Sequence, residues 1–170
     1  MLTVLVIDES RSRAGEICAG LALAGYQVAA ILAGSENLSA EVERLQPDVI
    51  LIDTDSPTRD TLENLAAMYK DMPRPVVIFT QEDGQSTIRD AVRAGVSAYV
   101  VDGLDPKRIK PIVEVARAQF DESQALRREL DDLSRKLSDR KLVDKAKGVL
   151  MKARGLDEDI HAQAHRQVGM

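Results

Sequence analysis

Pro47-Asp48-Val49-Ile50-Leu51-Ile52-Asp53 decides how the rest of the chain is read. A proline stops the preceding helical pattern, four β-branched or leucine residues follow without a polar break, and a carboxylate ends the run. A strand that is apolar on both faces is one covered on both faces, the signature of a parallel sheet between helices. The same grammar recurs on either side. Val4–Ile7 runs into Asp8, Val76–Phe79 into Thr80 and Ala98–Val101 into Asp102, and Tyr26–Ala30 supplies a fifth strand candidate. Between the strands lie amphipathic helices, marked by Ile17, Cys18 and Leu21, by Leu38, Val42 and Leu45, by Leu62, Leu65 and Tyr69, and by Ile88, Ala91 and Val92. Gly25 and Gly95 close the first and the fourth. Asp105-Pro106 has a cap residue and a first-turn proline, which opens a fifth helix. Alternating β and α elements predict an α/β fold with a doubly wound parallel sheet in the flavodoxin-like strand order.

The chain has 170 residues, 44% of them hydrophobic and 30% charged, a soluble globular composition with room for one good core and a small appendage. The net charge of -5 excludes a general polyanion binder. Cys18 is the one cysteine, so no internal disulfide can form, and its place in an apolar helical pattern marks it as core. No apolar run is long enough to span a membrane and no signal peptide is visible, which makes the cytoplasm the expected location.

The fifth helix does not stop where a compact domain would. From Ile112 the pattern continues through Arg140 without Gly or Pro. Leu126, Leu130, Leu133 and Leu137 are spaced four, three and four, as in a coiled-coil seam of about two heptads. Such a stripe needs a partner, and a homodimer is expected; the alternative is that the stripe folds back on its own chain. Beyond it, Leu142, Val143, Ala146, Val149, Leu150 and Ala153 share one helical sector. Lys141, Lys145 and Lys152 flank one edge of that sector, and Arg140, Lys147 and Arg154 the other. Cations on both rims of a buried face suit a phosphate backbone, although a solvated amphipathic helix has the same look.

A third pattern is chemical. Parallel strands present their carboxyl ends on one edge, so Asp8, Asp53, Thr80 and Asp102 are expected to converge there. Asp8 and Glu9 form an acidic pair and Asp53 adds a third carboxylate, a hard oxygen set suited to Mg²⁺. A carboxylate beside such an ion can attack a phosphoryl group and form an acyl phosphate.

These residues carry two resemblances. Residues 1–120 resemble the receiver domain of response regulators. The resemblance implies Asp53 as phosphoacceptor, Asp8, Glu9 and Asp53 as Mg²⁺ ligands completed by the Asp55 carbonyl, and Thr80 and Tyr99 as the switch pair. It also exposes a departure. Where a receiver carries Lys-Pro after its fifth strand, this chain has Asp102-Gly103. Losing a cation and gaining an anion weakens both phosphorylation and its readout, which points to a pseudo-receiver kept as an interaction surface. Ala146-Lys147-Gly148-Val149-Leu150-Met151, with Arg140 before it and Arg154-Gly155 after, resembles the core of the ANTAR domain, the RNA-binding module of AmiR- and NasR-type antiterminators. The segments 98–106 and 141–158 resemble NasT-type nitrate and nitrite response antiterminators. That resemblance implies a nitrate-sensing partner protein, leader-transcript RNA hairpins as the ligand, and no enzymatic activity.

The domain organisation expected is a receiver over 1–120, a coiled-coil linker over 112–138 continuous with its last helix, and a partial ANTAR segment over 139–170. Asp157-Glu158-Asp159 opens a second helix there, and a third is absent before Met170, so the C-terminus reads as truncated. His161 and His165 stand one turn apart but lack a third ligand for a metal. Three functions are weighed: an RNA-binding antiterminator gated by a partner, a switch phosphorylated at Asp53 by a sensor histidine kinase, and a sequestering dimer without RNA affinity.

Overall fold

The computed structural model describes residues 1–10, 13–102 and 105–155, with side chains to residue 148. The strands are β1 (Thr3–Asp8), β2 (Gln27–Leu32), β3 (Val49–Asp53), β4 (Val76–Thr80) and β5 (Ala98–Val101). The helices are α1 (Ala14–Leu23), α2 (Leu38–Leu45), α3 (Arg59–Asp71), α4 (Gln85–Arg93) and α5 (Ile109–Gly155). All five strands are parallel in the order β2-β1-β3-β4-β5, the expected flavodoxin-like arrangement.

The continuous apolar runs have the reason inferred for them. Leu5, Ile7, Ile50, Ile52 and Ile78 point to one face, where Leu38, Val42, Leu65, Met68 and Ala91 of α2, α3 and α4 cover them. Val4, Val6, Leu51, Val77 and Phe79 point to the other, under Ile17 and Leu21 of α1 and Ile109, Val113 and Ala116 of α5. The period of two therefore alternates between two cores rather than between core and water. The edge strands β2 and β5 are only half-buried, and β2 begins one residue later than its apolar run.

Helix boundaries follow local chemistry. Thr58 caps α3 by accepting from the Thr61 N–H at 3.1 Å. Gln46 turns left-handed at φ 47° after α2, and Pro47 then prevents continuation. Asp105 accepts from the Lys107 N–H at 3.0 Å and caps a 3-10 turn at Pro106–Arg108, so α5 proper starts at Ile109. Gly20 lets α1 approach this turn closely, because a Cβ there would press on the Ile109 side chain and stand 3.0 Å from the Pro106 backbone.

Two helix faces are rotated from the expected ones. The buried face of α1 is Ile17, Gly20 and Leu21, which leaves Cys18 half-buried at its margin. On α4 only Ala91 is fully buried, and Val92 faces out at 60% exposure.

Two compact units divide the chain. The first, Met1–Ser123, holds the sheet and both cores; the second begins at Gln124. Within the second, the helix carries Leu126, Leu130, Leu133 and Leu137 at 53–65% exposure. No described helix is long and apolar enough to cross a membrane. The second ANTAR-like helix expected from Asp157 onward, with His161 and His165, lies outside the described residues.

Candidate functional site

Asp8 and Asp53 end β1 and β3 and are register partners, so the parallel pairing itself brings the two carboxylates side by side. Asp53 is fully buried. Its Oδ2 accepts from the Ser10 hydroxyl at 2.8 Å, and its Oδ1 meets Arg13 Nη2 in an ion pair at 2.8 Å. The Ser10 oxygen also lies 3.1 Å from Asp8 Oδ1, bridging the pair. Burial pushes the Asp53 carboxyl above its ordinary pKa and the neighbouring Asp8 charge adds to that, while Ser10 and Arg13 pull the other way.

Glu9 is held differently. Its backbone N–H donates to the Asp53 carbonyl at 2.9 Å. The carboxylate accepts from the Thr61 hydroxyl of α3, at 3.1 and 3.3 Å to its two oxygens. Burial raises the Glu9 pKa, the hydrogen bonds of Thr61 and Thr54 oppose the rise, and Glu36 adds to it.

The expected switch residues form a chain of contacts. Thr80 Oγ1 donates to the Asp55 carbonyl at 2.9 Å and accepts from the Glu82 N–H at 3.2 Å. Tyr99 is half-buried and its hydroxyl donates to the Glu82 carbonyl at 2.8 Å. Asp102 is exposed, adopts a left-handed φ of 58°, and donates its N–H to the Thr80 carbonyl at 3.1 Å.

Receiver domains typically bind Mg²⁺ in this acidic pocket. Here Asp8, Glu9 and Asp53 do not close on one point, because Glu9 is committed to Thr61. Among the described residues no group of three His, Cys, Asp or Glu is placed to hold a metal ion. The Asp55 carbonyl, the further ligand expected, accepts from the Thr80 hydroxyl and keeps a second lone pair. As arranged, with Arg13 on Asp53 and Glu9 on Thr61, these side chains do not present three ligands to one ion.

Sequence reasoning missed Ser10, Arg13 and Thr61. One signal was available for Arg13. It sits at the N-cap of α1, where the helix dipole disfavours a cation, so an arginine there calls for an anion to hold it.

Of the basic residues expected on RNA, Arg140, Lys141, Lys145 and Lys147 are exposed on α5. Lys152 and Arg154 lie on the same helix, with side chains outside the described residues.

Residues 4–114 match the response regulator receiver domain, well over half of the chain. The chain belongs to that family. Residues 131–167 match the ANTAR domain. Among curated proteins it is similar to the transcriptional regulatory protein PdtaR of Mycobacterium tuberculosis, 29% identical over 134 residues. That alignment covers 79% of this chain and 65% of the relative, so the chain spans just under two thirds of the relative's length. It is also similar to the DNA-binding response regulator MtrA of Mycolicibacterium smegmatis, 28% identical over 62% of this chain and 46% of the relative. Among solved structures, a signal receiver domain of a modulated diguanylate cyclase from Desulfovibrio desulfuricans superposes with a TM-score of 0.63 at 21% identity, covering 72% of this chain and 99% of that one. A CheY-like receiver domain from Methanospirillum hungatei gives 0.62 at 18% identity over 72% of this chain and 98% of that one. At those identities the likeness is one of fold.

Proposed function

We propose that this response regulator is a cytoplasmic RNA-binding transcription antitermination factor, dimeric through its extended helix and gated by a protein partner docked on the receiver. The observation that carries the reading is the run of exposed cations Arg140, Lys141, Lys145 and Lys147 on α5, inside the ANTAR match. Phosphate contacts of this kind give affinity that falls with salt. The resemblance of segments 98–106 and 141–158 to NasT-type regulators supports nitrate and nitrite assimilation as the process controlled, with a nitrate-sensing protein as the partner.

The stripe Leu126, Leu130, Leu133 and Leu137 supports the dimer. Covering one leucine contributes about 1.5–3 kcal/mol. Association costs about 4–15 kcal/mol. Four leucines per chain therefore sit near the margin, and self-association is expected to depend on concentration.

The test is a titration of the 170-residue chain against a paired-hairpin leader RNA, beside a chain ending at Ser138. Saturable binding lost in the shorter chain supports the reading. Equal or absent binding in both leaves dimerisation and partner docking as the function. Lys145→Ala with Lys152→Ala is expected to weaken binding and flatten its salt dependence.

A second reading has its own observation. Asp53 is buried at the strand ends beside the Thr80–Glu82–Tyr99 contacts, which suits a switch phosphorylated at Asp53 by a sensor kinase. Uptake of a phosphoryl group from a small-molecule donor, abolished in Asp53→Ala, is its measurement.

A further inference from the structure

The acidic pocket already contains a cation, and it belongs to the chain. Arg13 Nη2 stands 2.8 Å from Asp53 Oδ1, with the carboxylate fully buried and the arginine side chain 20% exposed. Several other oxygen atoms that a divalent ion would use also accept from protein donors. Asp53 Oδ2 has the Ser10 hydroxyl, the Glu9 carboxylate has the Thr61 hydroxyl, and the Asp55 carbonyl has the Thr80 hydroxyl.

We propose that Arg13 is the resident cation of this pocket, holding the Asp53 carboxylate as an internal ion pair in the place a divalent ion would take, so that Mg²⁺ and Arg13 exclude one another. Three physical points support it. Mg²⁺ demands near-octahedral oxygen ligands at about 2.0–2.1 Å and gives up its water reluctantly. An ion at that distance from Asp53 Oδ1 would share the oxygen with a guanidinium nitrogen at 2.8 Å, and two cations within such reach repel strongly where water is scarce. The N-terminus of α1 is also a poor place for positive charge, so Arg13 gains from an anion beside it. The anion that stabilises it is Asp53.

The partly exposed side chain makes this device reversible. Arg13 can swing to solvent while Asp53 cannot, so Arg13 is the moving part. Whatever draws the guanidinium away, such as an acidic group of a docked partner, uncovers Asp53 and opens the pocket to a divalent ion. The inference concerns the receiver alone and stands apart from the RNA reading.

The test titrates Mg²⁺ into the full-length chain and follows the backbone amides of Asp8, Glu9, Asp53 and Thr54 by ¹⁵N NMR. Arg13→Gln, which removes the charge and leaves a shorter polar side chain, is expected to bind Mg²⁺ at least about tenfold more tightly than the native chain, the scale of one opposed charge at close range. Arg13→Lys keeps the charge and is expected to stay near the native affinity. Adding Asp53→Asn to Arg13→Gln should abolish the gain, which places the ion at Asp53. Amides of β2 and α3 unshifted by Arg13→Gln establish that the variant is folded. Equal affinity in the native and Arg13→Gln chains, or weaker binding in Arg13→Gln, overturns the proposal. So does a native chain whose Asp53 and Thr54 amides saturate with Mg²⁺ as readily as those of Arg13→Gln.

Discussion

Leucine plays two opposite parts in the two units of this chain. In the first unit Leu51 and Leu65 are at 0% and 1% exposure, closed off by helices on both faces of the sheet. In the second unit Leu130 is at 65% and its neighbours Leu126, Leu133 and Leu137 are above half. Leu65 and Leu130 both sit in helices; what differs is the cover each has among the described residues. The sheet unit completes its own cores. The helix beyond Ser123 carries an apolar pattern that stays more than half exposed among the described residues.

The most severe way to probe that contrast is Leu65→Ala. It opens a cavity in the α3 side of the core and is expected to cost about 2–5 kcal/mol, read as a lower urea midpoint with an unchanged slope. Next comes Gly95→Ala. Its φ of 106° is strained for any L side chain, and an added Cβ would lie 2.5 Å from the Tyr69 ring. A loss of about 1–3 kcal/mol is expected in the same assay.

Asp53→Asn acts in the other direction. Because burial holds its folded pKa above the unfolded value, the contribution of this group to stability is present below the unfolded pKa and is lost as pH rises through the folded one. At pH 7 the ionised carboxylate therefore carries a burial cost, and the amide, made in an Arg13→Gln background so that no guanidinium loses its partner, is expected to raise Tm relative to Arg13→Gln alone. That gain should shrink toward zero as pH falls below the ordinary aspartate value of 3.8. A gain independent of pH would mean that the charge is not its cause. The smallest effect on receiver unfolding is expected from Leu130→Ala, within about 0.5 kcal/mol. Its signature is instead a weaker self-association in sedimentation. A large loss of receiver stability from Leu130→Ala would erase the contrast between the units.

The sheet was legible because its signal is local. Each strand is an uninterrupted apolar run ended by a polar residue, and β5 spans the very residues Ala98–Val101 that the pattern marks. The edge strand β2 was less so, since one-sided cover blurs its pattern and Tyr26 instead donates its N–H to Leu21 at the end of α1. Helix orientation was legible to within a residue and no better. A turn of 100° per residue lets Cys18 or Val92 pass for core when the buried faces belong to Ile17, Leu21 and Ala91. At the site, Asp8 and Asp53 could be placed because the ends of parallel strands coincide. Glu9 could not, because its partner Thr61 is 52 residues away and nothing near Glu9 announces it. Arg13 was readable only as an exception to the helix-dipole rule, which is why the cation sought after β5 was overlooked before α1.

Tyr69 stands edge-on to Phe120 with ring centres 6.1 Å apart, Tyr99 donates to the Glu82 carbonyl, and Tyr26 donates to Glu114 at 2.8 Å. The chain has three tyrosines and no tryptophan, so these are its only strong near-ultraviolet chromophores. Burial and the Glu114 carboxylate hold the Tyr26 phenol up to about 12, which keeps that ring un-ionised well into alkaline solution. The protein thus carries its own optical labels. One ring borders α5, one lies beside Thr80 and one ties α1's exit to α5, so changes at these places could be followed by light absorption without attaching a dye.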